Sequence, residues 1–570
     1  MQVEGCSLKK ISKEAAFAFT RKQTSVMKTL IRVMALVLAC LFCLTVVISC
    51  GKKDTTTNSG NNKGGSNTTT DTDEEEYHLD EKTGKMVDAW GKQKDELPDD
   101  LDFNKATVNI LTWSDVEKPD FEVDEESEDE RMEALYRRNN AIQRRLNVKL
   151  EFDGVRGNSN NMKGFVSHVE TTQQAGTHDF DLIATYSRTA GTLTVKGMMV
   201  DVNRIEDTYL TISTPVHPRE EENRNPWWPK YLSENMQMGN KLYLLSGDIS
   251  ITVLDELHCI YFNKELVNIQ FEEQALDEGA ESGSRLLYKY VREGTWTVDK
   301  FIAMASDYWV DSNTTGVADY GDKFGLCSIY YCATALYGSC NFKMLEPDAQ
   351  KILIRSEDVT SQRLHQLVTK VGDFMTSNDY FHNNRGQYYV QPFIDGEALF
   401  MLHYLESAED HLIGNDRVEE YGVVPCPKYN ENQRNYYTVI GNAFTVFGIF
   451  RGYDKHGNEA GTLSMLSAVL ECWASEGYRK CTPIVFELNM QLKYSQTQDE
   501  TDMCEYIRAG IMFDLGRIME SAFGDYRIDS QFIKACEAGT PWSSKLDQIL
   551  TPAEASLAQF LSELSVDFNS

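Results

Sequence analysis

The sequence is short of positive charge. Its 56 lysine and arginine residues face 87 aspartate and glutamate residues, so the 570-residue chain has a formal net charge of −31 at pH 7. A surface of this kind repels phosphate backbones, which excludes nucleic acid as a partner. It also disfavours flat adsorption on anionic lipid. A soluble exported body fits this charge balance, and a neutral ligand fits it better than a strongly anionic one.

Recognisable catalytic motifs are also absent. The chain has no G-x-S-x-G, no H-E-x-x-H, no phosphate-binding P-loop and no Cys–His arrangement of the kind found in thiol enzymes. Cysteine and histidine spacings typical of zinc sites are missing as well. A carboxylate pair of the glycosidase type is the enzymatic alternative that the abundant acidic residues leave open.

The cysteines do not form a disulfide pattern. Of the 13 cysteines, four lie in the first 50 residues and nine are scattered from Cys259 to Cys536. Because nine is an odd number, complete internal pairing of the scattered group is impossible. We therefore expect buried thiols rather than a disulfide framework.

A long apolar run occurs only once. Residues 30–49, LIRVMALVLACLFCLTVVIS, follow Lys28 and carry Arg32 near their start, which is typical of a bacterial export signal. The run ends in residues 47–50, Val-Ile-Ser-Cys, which resemble a lipobox. We expect residues 1–49 to be a leader and Cys50 to be the lipidated N-terminus on the extracellular face of the membrane, with Met27 as an alternative start. The other interpretation is a membrane-spanning helix. No further long apolar segment follows, so a transport pore is not part of this chain.

Residues 50–100 are predicted to be a flexible stalk. The stretch 51–76 is rich in Thr, Asn, Gly, Ser and acidic residues and shows no apolar periodicity. Such a composition buries too little apolar surface to order itself. We expect the folded body to begin near Leu101.

Strands and helices alternate through the body. The predicted strands are 107–112, 148–152, 181–185, 259–263 and 324–329. The predicted helices between and after them are 133–146, 165–175, 298–307 and 360–376. This alternation predicts βαβ units and an α/β fold with parallel sheet. The last third of the chain is predicted to be mainly helical, with helices at 461–476, 502–520 and 552–566.

Residues that follow the predicted strands are candidate ligand contacts, because open α/β sheets bind ligands beyond the carboxyl ends of their strands. After the first strand these residues are Trp113, Ser114 and Asp115. After the strand DLIAT they are Tyr186, Ser187 and Arg188.

Five segments, in the right order, carry a family resemblance. They are AGTHDFDLIATYSRTAGTLTVKGMMVDV, GNKLYLLSGDISITVLDELHCIYFNKELV, TWTVDKFIAMASD, FIDGEALFMLHYLES, and YGVVPCPKYN with VIGNAFTVF. Together they resemble the family 1 extracellular solute-binding proteins, the group that contains the maltose-binding protein. The similarity runs from about Thr107 to the C-terminus.

The resemblance implies a two-lobed periplasmic-binding-protein-like fold with hinge strands and a helical C-terminal part. One lobe would take residues 101–255 and 440–500, and the other 256–439 and 501–570. The cleft between them would close on its ligand by hinge motion. A permease with ATPase subunits is the implied partner.

The resemblance also implies a sugar site of aromatic faces and planar polar groups. Glu256 matches the family's cleft glutamate, while Tyr404 and either Tyr331 or its neighbour Tyr330 match stacking aromatics. The pair Gly441-Asn442 is predicted to form a turn at the return crossing, near enough to the cleft to donate hydrogen bonds. The alternatives are core positions for Tyr330 and Tyr331 and a surface position for Glu256.

A separate acidic loop has the spacing of an EF-hand-like calcium site. Gly316 occupies position 6, where the tight turn is needed. The oxygen donors at positions 1, 3, 5, 7, 9 and 12 are Asp311, Asn313, Thr315, the Val317 carbonyl, Asp319 and Asp322. We expect a structural calcium ion here and no other cofactor. The alternative is a solvated acidic turn.

The sequence therefore predicts a membrane-anchored extracellular protein that binds a solute, a carbohydrate and first of all an oligosaccharide, and delivers it to an ABC importer. A lipid-anchored carbohydrate-active enzyme is one alternative. A sensor component that presents its ligand to a membrane kinase is the other.

Overall fold

The computed structural model describes residues 77–123, 127–348, 353–382, 388–418, 420–452, 459–489 and 497–564. The predicted leader, Cys50 and the first part of the predicted stalk lie outside these ranges. Within the ranges, no helix combines the length and the apolar character needed to cross a bilayer.

The described residues form a mixed α/β structure. The strands are β1 (His78–Leu79), β2 (Met86–Val87), β3 (Ala106–Trp113), β4 (Val148–Val155), β5 (Leu182–Tyr186), β6 (His258–Asn263), β7 (Phe324–Ser328), β8 (Leu345–Pro347), β9 (Leu353–Arg355), β10 (Tyr380–Phe381), β11 (Ala398–Tyr404), β12 (Tyr421–Pro425), β13 (Thr438–Val439), β14 (Thr445–Ile449) and β15 (Ile511–Met512).

Helices connect and cover these strands. They are α1 (Glu130–Leu146), α2 (Met162–Ala175), α3 (Ser187–Val195), α4 (Leu232–Met236), α5 (Ile251–Asp255), α6 (Lys264–Gln270), α7 (Glu272–Asp277), α8 (Gly283–Glu293), α9 (Val298–Ala305), α10 (Thr334–Ser339), α11 (Gln362–Met375), α12 (Gln391–Ile394), α13 (Glu459–Glu476), α14 (Thr482–Asn489), α15 (Gln498–Ala509), α16 (Leu515–Ile518), α17 (Ile528–Glu537) and α18 (Trp542–Glu563).

The first sheet has the strand order β14-β5-β3-β4. Strand β3 runs parallel to β4 and β5, with Ile110 opposite Leu182, whereas β14 runs antiparallel to β5 with Thr445 opposite Tyr186. Val108 and Ile110 are fully buried, as expected for a parallel strand that is covered on both faces. Helix α1 packs on β4 and against α13.

The second sheet has the strand order β10-β7-β11-β6-β12. Strands β10, β7 and β11 are parallel, and β6 runs antiparallel to its neighbours β11 and β12. Every residue of β6 is buried, which agrees with its central position. Helices α8 and α15 cover β12, and α9 covers β7.

The chain passes between the two sheets in segments that pair with one another. Leu245 bridges Phe447 and Leu257 bridges Ile440, both in antiparallel fashion. A later passage forms β15, which lies parallel to β13. The α/β fold predicted from the sequence is confirmed, and each predicted βαβ strand lies within or beside an observed one.

The predicted helix 502–520 is wrong as a single element. Helix α15 ends at Ala509, and the next residues turn into β15 before α16 begins. Gly510 sits so close to the chain that a Cβ there would lie 2.7 Å from the Tyr436 carbonyl oxygen. Pairing of β15 with β13 therefore overrides the helical pattern of the sequence.

The folded region also begins earlier in the chain than the sequence predicts. Strands β1 and β2 form an antiparallel hairpin inside the segment expected to be stalk. Val87 and Leu97 are 7% and 5% exposed, so this segment packs on the body. The apolar positions are too few and too widely spaced to give a periodic signal, which explains why composition alone suggested a stalk.

The nine cysteines from Cys259 to Cys536 are all buried thiols. Burial raises their pKa, for example to about 12 for Cys327 and about 11 for Cys481. This arrangement matches the expectation of core thiols.

Glu471, on α13, is a buried carboxylate that holds the long connection before α4. It accepts hydrogen bonds from the Trp227 and Trp228 indole groups, each at 2.8 Å, and from the Thr211 backbone N–H at 3.0 Å. Burial raises its pKa to about 7, while these donors act in the opposite direction. The two tryptophans are therefore structural.

Replacing Glu471 with glutamine should lower the free energy of unfolding by about 2–4 kcal/mol, because an amide nitrogen would face indole donors that need an acceptor. Urea unfolding at pH 7.5 measures the change. Glu459→Gln, at the exposed start of the same helix, is the control and should unfold like the wild type. Equal stability of the two variants would contradict this role for Glu471.

Candidate functional site

The carboxyl ends of β3 and β5 bring two predicted ligand residues together. Trp113 ends β3, Tyr186 ends β5, and their ring centroids are 5.6 Å apart. The Trp113 indole donates to Thr445 Oγ1 at 3.0 Å, which fixes the ring. Burial raises the pKa of Tyr186, and the charges of Arg188 and Glu256 also act on its hydroxyl. This aromatic pair therefore lies at the edge of the first sheet that faces Glu256.

The carboxyl ends of β7 and β11 make a second aromatic pair. Tyr404 ends β11, Tyr331 follows β7, and their rings are stacked with centroids 6.4 Å apart. Tyr404 also meets His258 edge-on at 4.6 Å. Tyr330 packs edge-on against Tyr331 but is 40% exposed. The structure thus gives Tyr331 and Tyr404 the place beside Glu256, with Tyr330 outside them.

Glu256 follows α5, and its carboxylate is buried without a full set of partners. The residue is 7% exposed, and Oε2 has no hydrogen-bond partner among the described residues. Burial raises its pKa well above the ordinary value, and the nearby Glu406 carboxylate adds to this effect. It is not the surface carboxylate that was the alternative. A buried acceptor left unpaired is costly unless a ligand uses it.

Gly441 makes room for that carboxylate. A Cβ at this position would lie 1.5 Å from Glu256 Oε2 and 2.9 Å from Tyr404 Cε1. Its backbone N–H donates to the Glu256 carbonyl at 2.7 Å, so the outward and return crossings are joined at this point.

Arg517, on α16, is a member of this cluster that the sequence analysis missed. It donates to the Ile440 carbonyl at 2.6 Å and to Asn442 Oδ1 at 2.9 Å, and its charge acts on Glu256. Ser187 Oγ donates to the Asn442 carbonyl at 2.8 Å. Asn442 is therefore held from both sides of the cluster. The local sequence LGRI carries no signal that would mark Arg517, because its neighbours are distant in the chain.

Arg188 connects α3 with the C-terminal part of the chain. Its Nη1 donates to Glu520 Oε1 at 2.9 Å, and Arg527 lies 3.7 Å from the same oxygen. The Arg188 Nε is buried and has no hydrogen-bond partner among the described residues. The cluster thus offers an unused donor as well as the unused acceptor on Glu256.

Asp115 is hydrogen-bonded to the segment that follows β4. Its carboxylate accepts from the backbone N–H groups of Gly157 and Asn158, at 2.7 and 2.9 Å, and from Asn161 Nδ2 at 2.9 Å. These bonds fix the turn between β4 and α2. The structure therefore gives Asp115 a role in that turn, and its contact with a ligand stays a prediction.

Ion pairs tie the two sheets together near the cluster. Lys118, after β3, lies 3.1 Å from Glu409 and 3.0 Å from Asp410, both of which follow β11. Arg131, on α1, donates to both carboxylate oxygens of Asp255 at 2.8 and 2.9 Å and to Glu409 at 2.7 Å. Both cations come from the side of the first sheet, and Glu409 and Asp410 come from the side of the second.

In the predicted calcium loop the carboxylates are engaged by donors of the protein. Asp311 accepts from the backbone N–H groups of Thr315 and Gly316, at 3.1 and 2.7 Å. Asp322 accepts from the Ser312 N–H at 2.9 Å and the Trp309 indole at 3.1 Å. These bonds fix the shape of the loop, and carboxylates that accept them keep lone pairs that a cation could use. Calcium binding there stays a prediction.

Asp95, Cys472 and Glu476 are the one set of three acidic, cysteine or histidine side chains in the described ranges that is close enough to share a metal ion. Arg479 pairs with both carboxylates, at 3.4 Å from Asp95, and Arg145 lies 3.5 Å from Asp95. We interpret this set as a buried ion-pair network. It attaches the segment before β3 to α13.

Comparison with known proteins gives a likeness of fold. No protein-family model matches the sequence, and no curated protein matches it. A sugar transporter protein from Rhizobium etli, solved in an open conformation, has a TM-score of 0.50 at 10% identity, covering 79% of this chain and 99% of that one.

Two further solved structures are similar over the same length. A family 1 extracellular solute-binding protein from Bifidobacterium longum subsp. infantis has a TM-score of 0.47 at 11% identity, covering 80% of this chain and 100% of that one. The galacto-N-biose-/lacto-N-biose I-binding protein of an ABC transporter from Bifidobacterium longum has a TM-score of 0.46 at 12% identity, covering 81% and 99%. The likeness to the Rhizobium protein shows the predicted two-lobed fold.

Replacing Arg131 with glutamine should lower the free energy of unfolding by about 3–5 kcal/mol, because Asp255 would remain buried without its cation. Arg137→Gln on the same helix removes an exposed pair with Glu133 and should cost at most about 1 kcal/mol. Chemical denaturation of the two variants side by side tests this. Similar losses in both would show that the Arg131–Asp255 pair contributes no more than a surface pair.

Proposed function

We propose that the chain captures a neutral sugar between its two lobes and delivers it to an ABC importer. The observation that carries this proposal is Glu256 Oε2, a buried acceptor without a hydrogen-bond partner in the described part of the chain. It lies beside Tyr404 at the point where the crossing segments meet. A ligand hydroxyl is the kind of donor that would satisfy it.

The surrounding side chains suit a polyhydroxylated ring. Aromatic faces bind the apolar C–H faces of sugars, and the pairs Trp113–Tyr186 and Tyr331–Tyr404 supply such faces from both lobes. The unused Arg188 Nε can donate to a hydroxyl oxygen that also donates to Glu256. The fold supports the same proposal, since it is shared with a protein described as a sugar transporter.

Burial of these groups implies that the ligand enters when the lobes separate. Trp113, Tyr186 and Glu256 are 2%, 4% and 7% exposed. The ion pairs of Lys118 and Arg131 with Glu409 would then form and break as the lobes close and open. Lipidation at Cys50 is the proposed means by which the protein stays at the membrane next to the permease.

Glu256→Gln should weaken sugar binding about tenfold to hundredfold, because the amide accepts less strongly and offers a donor where the ligand also donates. A thermal-shift screen with neutral mono- and oligosaccharides identifies the ligand, and calorimetry then gives the affinity. Tyr404→Ala should cost a similar factor by removing a stacking face. Glu265→Gln, an exposed carboxylate on α6, is the matched control.

The affinity for the sugar should also depend on pH, in a direction that the pKa of Glu256 sets. Because the pKa of Glu256 is raised, a bound proton competes with the ligand hydroxyl at low pH. Affinity should therefore increase as the pH rises through that pKa, and the increase should be absent in Glu256→Gln. Wild-type affinity in the glutamine variant, with an unchanged pH profile, would rule out Glu256 as a ligand contact.

Cys50→Ala should either release the protein from the membrane fraction or leave it with its leader uncleaved, because the proposed lipidated cysteine would be lost. Detergent-phase partitioning of cell extracts measures this. Cys43→Ala, within the same apolar run, should leave the protein in the detergent phase. Recovery of the wild-type protein in the aqueous phase would refute the anchor.

A further inference from the structure

The hairpin of β1 and β2 is attached firmly to the body. Val87 is buried, and the segment continues to Asp95 and Leu97, which are also buried. An isolated antiparallel bridge joins Val87 to Gln93. Arg479 and Arg145 hold Asp95 in place. The hairpin is therefore a fixed feature of the surface.

This fixed hairpin exposes large apolar side chains. Leu79 and Met86 are 58% and 43% exposed, and they lie directly opposite each other in the strand register. Cross-strand partners point to the same side of a hairpin, so these two form one apolar face. Trp90 is 81% exposed.

The Trp90 indole is presented by a well-defined turn. The Asp88 carboxylate accepts from the backbone N–H groups of Trp90 and Lys92, at 2.9 and 2.8 Å. Gly91 follows with a φ of +75°, a conformation that glycine adopts at little cost. An exposed tryptophan on a rigid turn is typical of a contact surface.

The charge of this stretch is compatible with contact to an anionic surface. Residues 77–94 contain four lysines and three carboxylates, whereas the whole chain has a net charge of −31. An anionic bilayer repels most of this acidic protein but does not repel the hairpin. Electrostatic repulsion therefore does not prevent the hairpin from touching lipid.

Position in the chain provides the remaining argument. The hairpin begins directly after residues 51–76, which separate it from Cys50. A chain of 26 residues spans at most roughly 90 Å, whatever its conformation. Among the described elements, β1 and β2 are thus the nearest in sequence to the proposed anchor.

From these observations we infer that the 78–93 hairpin lies against the lipid surface, with Trp90 at the depth of the headgroups and Leu79 and Met86 beside it. Tryptophan prefers this interfacial zone because its ring is apolar while its N–H is polar. The contact would orient the body relative to the membrane. This inference rests on the proposed anchor at Cys50.

The test uses the full-length protein, reconstituted into vesicles of phosphatidylcholine and phosphatidylglycerol with and without brominated acyl chains. Bromine quenches tryptophan fluorescence only on close approach. The chain has eight tryptophans. Seven are buried or half-buried, namely Trp113, Trp227, Trp228, Trp296, Trp309, Trp473 and Trp542, so that Trp90 is the one that lipid can reach. Wild-type emission should fall in part on brominated vesicles.

Trp90→Phe should remove this quenching without changing the melting temperature, and Trp309→Phe, the matched control, should retain it. Vesicle flotation is measured on the same samples. Flotation without quenching, or equal quenching in wild type and Trp90→Phe, would overturn the hairpin contact while leaving the anchor intact. If Trp90 becomes shielded from solvent only when the permease is present, the lipid contact would likewise be overturned in favour of a protein partner. Failure to float would overturn the anchor and the hairpin contact together.

Discussion

The whole candidate site depends on the pairing of two chain crossings. One crossing enters the second sheet at Leu257 and the other leaves it at Ile440, and the two bridge each other in antiparallel fashion. The hydrogen bond from Gly441 to the Glu256 carbonyl fixes their register. A shift of one residue would replace glycine beside the carboxylate with a residue that has a side chain, and the space next to Tyr404 would be filled. The register of the two crossings therefore also sets where the two aromatic pairs lie relative to Glu256.

Ion pairs impose a second constraint at the same junction. Arg131 and Lys118 reach from the first sheet to acidic residues that follow β11. Buried pairs of this kind add little net stability, because desolvation offsets most of the attraction, yet a broken pair is costly. They therefore favour one relative placement of the lobes over nearby alternatives. In a protein whose lobes move, such pairs act on the balance between open and closed forms.

The sequence was most informative where local pattern and packing agree. Buried runs such as TVNILT and DLIAT predict parallel strands that are covered on both faces. The ends of these runs identified Trp113 and Tyr186 as candidate residues. Glu256, Tyr331 and Tyr404 were located only through the family resemblance. Gly441 was expected near the cleft, but neither the space it leaves for Glu256 nor the position of Arg517 could be predicted, because both depend on contacts between segments far apart in the chain. For Asp115 the local pattern is ambiguous, because a carboxylate after a strand serves a turn as readily as a ligand. The helix expected at 502–520 failed for a related reason, since a distant strand, β13, claims its middle.

The nine buried thiols have a consequence for the proposed location outside the cell. In the folded protein, burial raises their pKa and keeps them out of reach, so they resist oxidation. An unfolded chain has neither protection, and in an oxidising compartment any two exposed thiols can be joined. Each such bond would trap the chain away from the native state, which contains none among these cysteines. At the proposed location, the lifetime of the protein would therefore be set by its rate of unfolding, and slow unfolding would take the place that disulfides have in many exported proteins.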